Sequence, residues 1–335
     1  MAAKRRRSFD GRLAAGCTPQ QPHRLSHEDY TVGWICALPV ELAASRAMLD
    51  SIHQPVATHF SDTNTYVFGN IGPHNIVMTC LGAYGIGTAS HVATHMSRTF
   101  PCLRIQLMVG IGGGAPRDGN DVRLGDVVVG RRVVQYDLGK INHGGHFTPN
   151  HIVSSIPQEL SAAITSVKVL HESEPSAIPQ LIDEMLENYP RLAKYSYPSI
   201  PDRLFVSEYK HDSSTSCDEC NVDMLKRRHP RSDRHPRIHY GAIASGNSVM
   251  KDSLTRDRLA QELDVICFDM EAAGFIGHFA CLSIRGICDY ADSHKNKDWQ
   301  PYAAATAAAF AKELLSSIHK HNILPTEPGL KVDLG

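Results

Sequence analysis

Short apolar β-rich runs alternating with helical patterns predict a single-domain, three-layer α/β protein with a twisted, mainly parallel mixed central sheet. Two further observations support that expectation. The runs TVGWICA (31–37) and IQLMVGI (105–111) are nearly unbroken in apolar residues, as strands covered on both faces are. The 335-residue chain is 42% hydrophobic and 21% charged, which supplies apolar material for one large core.

Residues 1–28 are polar, basic and punctuated by Gly and Pro, the composition of a disordered tail, and the domain is expected over 29–323. The first strand, TVGWICA, is followed by a helix over VELAASRAMLD that Pro39 opens. TYVFGNI and HNIVMTCL flank Gly72-Pro73 and read as a hairpin. GTASHVATHMSRTF is a helix, RIQLMVGI a buried strand, and DVVVGRRVVQYD a strand or hairpin. Two helices are expected near 157–168 and 177–188. The Pro-, Tyr-, Arg- and His-rich stretch 190–237 reads as an excursion from the core. The core pattern then resumes with HYGAIAS (strand), MKDSLTRDRLAQEL (helix), DVICFDM (strand), MEAAGFIGHFA (helix) and LSIRGICDY (strand). A closing Ala-rich helix starts near Gln300, and 324–335 form a C-terminal tail.

Composition excludes several classes. The formal net charge of -1 provides no field for nucleic acid or an acidic membrane, so neither is expected as a partner. No run approaches eighteen unbroken apolar residues, and the basic start lacks the apolar stretch of a signal peptide. The nine cysteines are odd in number and most sit in apolar runs, which argues against a disulfide framework and for a reducing compartment. The cytoplasm is therefore expected. The run Lys4-Arg5-Arg6-Arg7 leaves the nucleus as an alternative, although a solvated run is the preferred reading. Cys217-Asp-Glu-Cys220, with His211 and His229 near it, has ligand types for zinc, but without a second pair no metal is expected.

Two glycine clusters invite a dinucleotide reading. In GIGGGA, residues Pro116 to Gly119 follow where a phosphate-binding helix would have to begin. In GAYGIGTAS no acid stands about twenty residues later to take a ribose hydroxyl. A nicotinamide cofactor is not expected, nor any other. Gly85, Gly112 and Gly113 instead let backbone approach a small ligand. Glu41 follows the first strand, Glu271 follows DVICFDM, and Asp289 and Asp292 follow the last strand. A parallel sheet gathers such strand ends along one edge. Three acids meeting there could serve N-glycosidic cleavage: one protonates the departing base, one activates water, and one holds sugar hydroxyls as positive charge develops. Each also has a structural alternative as a cap, a dipole partner or a solvated charge.

YTVGWICALPVE, FDMEAAGF and CDYAD together resemble the nucleoside phosphorylase and nucleosidase superfamily, closest to its fungal branch, from about Tyr30 to the last helix. The resemblance implies a nucleoside phosphorylase-like fold and a purine nucleoside or nucleotide substrate; a homo-oligomer is also expected. It implies that Met270 and Glu271 hold the ribose, that Asp289 protonates or hydrogen-bonds the purine N7, and that Glu41 lies by the attacking water. Val249 and Met250 would frame the base, with Val249 standing where an aromatic is common. The Gly-Asp-Pro phosphate loop is replaced by CALPVE, and Ile111 stands where phosphorylases tend to carry Ser or Thr. Hydrolysis of a purine, adenine foremost, is therefore expected over phosphorolysis. Arg117, Arg123, Arg131 and Arg132 are candidate contacts to a substrate phosphate or plain surface charge. A catalytically silent sensor is the alternative from another class.

Overall fold

The computed structural model describes residues 25–145, 147–149, 152–211, 217–276 and 281–318. The basic run at 4–7 and the 324–335 tail lie outside them. The amino-terminal half contains β1 (Val32–Cys36), α1 (Pro39–Ala47), β2 (Ser51–Ile52), β3 (Tyr66–Ile71), β4 (His74–Cys80), α2 (Ile86–Thr99), β5 (Ile105–Gly114) and β6 (Val127–Gln135). A small two-stranded ribbon follows, β7 (Gly139–Ile141) with β8 (Phe147–Pro149), then β9 (Ile152–Ser155), α3 (Gln158–Ser173) and α4 (Ile178–Asn188). The remainder is β10 (Ile238–Ser245), α5 (Ser253–Leu263), β11 (Val265–Asp269), β12 (Cys281–Asp289) and α6 (Gln300–Ser316).

The central sheet runs β11-β10-β6-β12-β5-β1-β4-β3-β2, with β9 added beside β6. Its middle, β4-β1-β5-β12, is parallel, and antiparallel pairs lie at β3–β4 and β6–β12. All five residues of β1 are buried, as its unbroken apolar run requires. One face is covered by α1, α3, α4 and α6, and the other by α2 packing on Ile35, Val77 and Met108. The expected hairpin forms around Gly72-Pro73, with Ile71 paired to His74. In α6 every residue from Tyr302 to Ala311 is buried. Small side chains let this helix lie close to β12, where Gly286 faces the Ala303 carbonyl with no room for a Cβ.

β11 also pairs antiparallel with β5, through Cys267 with Gly114 and Phe268 with Gly113. That pairing closes β5, β12, β6, β10 and β11 into a ring, which draws the ends of β5, β11 and β12 together. One expected helix is different. MEAAGFIGHFA gives a single 3-10 turn at Ala272–Phe275, and residues 277–280 lie outside the described residues. Here the Ala272 and Ala273 amides are taken by Asp269 Oδ1 and Ser245 Oγ, and Gly274 is pressed on the Ile86 carbonyl. Both contacts serve first-turn amides that a helix leaves without backbone partners, and they anchor the short turn to β11 and β10. The described residues of 190–237 lie back on the core: Tyr195 donates to the Val40 carbonyl, Leu204 and Phe205 are buried, and Arg231 pairs with the buried Asp126. Among the described residues no helix is long and apolar enough to cross a membrane.

Candidate active site

The chain leaves buried β1 and turns at once into α1, where Pro39 occupies a first-turn position that needs no N–H donor. Glu41 sits in that turn and reaches back over it. Its Oε2 accepts the N–H groups of Ala37 (2.7 Å) and Leu38 (2.8 Å), and its Oε1 accepts the N–H of Ile111 in β5 (2.8 Å). The carboxylate is 2% exposed and lies flat on Gly110, where an added Cβ would stand 2.5 Å from Oε1. Gly110 is required for that close approach, not for a turn.

Arg285 stands in the middle of β12 with no exposed surface. Its Nη2 is 2.8 Å from Asp269 Oδ2 and 3.8 Å from Glu271 Oε2. The nearer contact pairs charge without hydrogen-bond alignment: among the described residues Arg285 Nη1 and Nη2 and Asp269 Oδ2 have no hydrogen-bond partner. Three buried carboxyl groups, Glu41, Asp269 and Glu271, thus share one buried cation. Burial pushes the Glu271 carboxyl up to about 7; Arg285 opposes this, while Asp269 and Glu41 add to it. Burial likewise raises Glu41, against the pull of Arg285 and the three amides. Burial disfavours the guanidinium charge, but the surrounding acids more than offset that.

Asp289 ends β12 opposite Gly113 of β5. Its Oδ1 accepts the Ala291 N–H (2.9 Å), and its Oδ2 meets Lys295 Nζ (2.8 Å) and the Cys288 thiol (3.1 Å). Burial works against the Lys295 charge, yet Asp289 beside it holds the ammonium pKa above its ordinary value. Asp292 turns elsewhere, capping the His294 amide and facing Arg256, so it has the structural role of a loop cap.

A cavity of about 300 Å³ opens where these strand ends meet, within the size range of small-ligand sites. Glu41, Glu271, Met270, Val249, Met250, Gly112 and Gly113 all line it, as do Phe268, Tyr84 and Lys295. Asp289 lies just behind that wall. It touches Lys295, adjoins Cys288, and stands where a Gly113 Cβ would come within 2.9 Å of its Oδ1. Glu41 and Asp289 therefore grip β5 two residues apart, at Ile111 and Gly113, roughly 7 Å along the strand. Gly85 is not among the lining residues; it starts α2 with φ 109°. The four arginines also stand apart from the cavity. Arg117 pairs with Asp264, Arg123 with Asp121, Arg132 donates to the Leu263 carbonyl, and Arg131 is exposed. The cations at the cavity are Lys251, Lys295 and Lys297.

Sequence reasoning missed Arg285, Asp269 and Lys295. The first two had a readable signal: charges inside apolar strands must find each other. Lys295 had none, because a loop residue six positions after Asp289 can point anywhere.

A closed ring of strands with acids gathered round one cavity at their ends is where α/β folds hold a small polar molecule. The chain belongs to the phosphorylase superfamily, whose family model matches residues 31–316. A protein of Hyaloscypha variabilis described as nucleotide-binding leucine-rich repeat (NLR)-like is 41% identical over 308 residues, covering 90% of this chain. That stretch is 30% of the relative, so the chain spans less than a third of its length. The 5′-methylthioadenosine/S-adenosylhomocysteine nucleosidase of Mycobacterium bovis is 28% identical over 291 residues, 85% of this chain and 95% of that protein. The nucleosidase of the same name from Neisseria meningitidis, solved with methylthio-immucillin-A, superposes with a TM-score of 0.57 at 16% identity. It covers 86% of this chain and 99% of its own, a likeness of fold.

Proposed function

We propose that this protein hydrolyses the N-glycosidic bond of a purine nucleoside or nucleotide, adenine foremost, to free base and sugar. The observation that carries the choice of water over phosphate is the seat of Glu41. The amides of Ala37, Leu38 and Ile111 converge as an oxyanion nest would, and the Glu41 carboxylate already fills it. An inorganic phosphate would have to displace a fixed negative charge, whereas a water beside Glu41 gains an acceptor for its proton.

The other groups fit the same reaction. Glu271, with Met270 beside it, lines the cavity and can accept from ribose hydroxyls, bonds that tighten as the sugar gains oxocarbenium character. The Asp289–Lys295 pair can hand a proton to the departing purine: Lys295 faces the cavity, and Asp289 holds it from behind. Val249 and Met250 offer apolar surface to the base, and Phe268 and Tyr84 are the aromatics that line the same cavity. The name of the mycobacterial relative supports a purine nucleoside as the substrate class. Lys251 and Lys297, exposed at the rim, favour an anionic substituent on some substrates. Packing several buried carboxyls round one arginine is costly for folding alone, which supports catalysis over silent sensing.

Incubation with adenosine, inosine, methylthioadenosine and ATP, each with and without inorganic phosphate, tests the proposal. Free base released without phosphate is expected. A strict phosphate requirement would make the protein a phosphorylase, and tight binding without turnover a sensor. A homo-oligomeric assembly is the expected form, checked by light scattering on the eluting protein.

A further inference from the structure

Far along the excursion the chain makes a turn over Cys217–Cys220, closed by the Cys220 N–H on the Cys217 carbonyl at 3.3 Å. In the sequence this CxxC has no second pair to complete a metal site. The fold supplies His211 instead: one ligand atom from each of His211, Cys217 and Cys220 lies within 4.8 Å of the others, all three half-buried. In a tetrahedral zinc site with bonds of about 2.0–2.3 Å, neighbouring ligand atoms stand roughly 3.3–3.8 Å apart, so the cluster needs only a contraction of about 1 Å. A cavity of about 170 Å³, lined by Arg203, Phe205, Cys217 and His294, gives an ion a way in.

A second observation lies beside it. The ring of His294 is 5.3 Å from that of His211, and its side chain is 5% exposed. Its Nε2 is buried without a hydrogen-bond partner among the described residues. Buried polar atoms of this kind are rare without an unseen water or ion. We propose that His211, Cys217 and Cys220 bind a zinc ion through one nitrogen and two thiolate sulfurs, with the fourth position held by water or by His294. The two thiols release their protons to solvent when the ion binds. The site is outside the catalytic cavity but tied to it. His211 N–H donates to Ser293 Oγ (3.0 Å) and Cys217 Sγ contacts the His294 carbonyl (3.7 Å), on the loop that follows Asp289 and carries Lys295. The ion would pin the excursion to that loop.

The test is metal content, independent of turnover. Full-length protein expressed with added zinc and dialysed without chelator should hold about one zinc per chain by mass spectrometry of the acid-digested protein. C217S and C220S should lose it, and C102S, at a half-buried cysteine elsewhere, should keep it. Should the serine variants not fold, cobalt substitution of the intact chain decides: a thiolate-to-cobalt charge-transfer band is expected. Less than about a tenth of an equivalent of zinc, the same zinc in C217S, or cobalt bound without that band would each overturn the assignment.

Discussion

Changing Asp289 to Asn separates proton delivery from mere architecture. Asn keeps an oxygen for the Ala291 N–H, so the end of β12 should hold its shape. What it loses is the 2.8 Å contact with Lys295, because an amide nitrogen would now face the ammonium. Lys295 is 27% exposed along its side chain and can swing towards water, so the stability cost should be about 1–2 kcal/mol. The rate cost should be larger. A lost general acid costs about 10²–10⁴-fold, which is about 3–5 kcal/mol of barrier. The assay is release of free adenine from adenosine, run beside release of nitrophenolate from p-nitrophenyl riboside, whose leaving group departs without a proton. Asp289→Asn should cripple the first and spare the second to within about tenfold. Equal loss on both substrates, or near-normal release of adenine, would refute the reasoning.

Three further expectations concern the buried cluster. Glu41→Gln leaves one of three donor amides facing an NH₂ group; melting should drop by an amount equivalent to about 1–3 kcal/mol, with turnover falling at least about 10²-fold. Unchanged hydrolysis would remove Glu41 from the mechanism. Gly110→Ala puts a methyl group into the Glu41 carboxylate and should cost about 1–3 kcal/mol and displace the base; calorimetry and the adenine assay read both effects. Burial pushes the folded Glu271 carboxyl from its ordinary 4.5 up to about 7, so the folded chain binds an extra proton between those values. Stability should therefore fall as pH rises through that window, by on the order of 3 kcal/mol when complete. Glu271→Gln should flatten that slope in urea titrations between about pH 5 and 8, and an unaltered slope would show the proton sits elsewhere.

Most strands and helices were legible because each is defined locally, by an apolar run or a helical period a few residues long. The described residues of the expected helix, 270–276, make only a short 3-10 turn, and part of what holds it lies outside it: the Ala273 N–H goes to Ser245 Oγ, and Gly274 is pressed on the Ile86 carbonyl. The arginines 117, 123, 131 and 132 looked available for phosphate since a sequence does not show that Asp264, Asp121 and the Leu263 carbonyl are already waiting for three of them.

By itself the sequence determined the order of elements, the acids that end the strands, and the family pattern those acids share. Only the tertiary structure decided which charges meet. Arg285, Asp269 and Glu41 come from three strand regions separated by up to 244 positions. The closure of β11 on β5 and the register of β12 against β5 fix their distances. Those pairings set the register of side chains across the sheet, and a slip of one residue in β11 or β12 would turn Asp269 or Arg285 to the opposite face. No local pattern records such a choice, because it is made by strands that are neighbours in space and strangers in sequence.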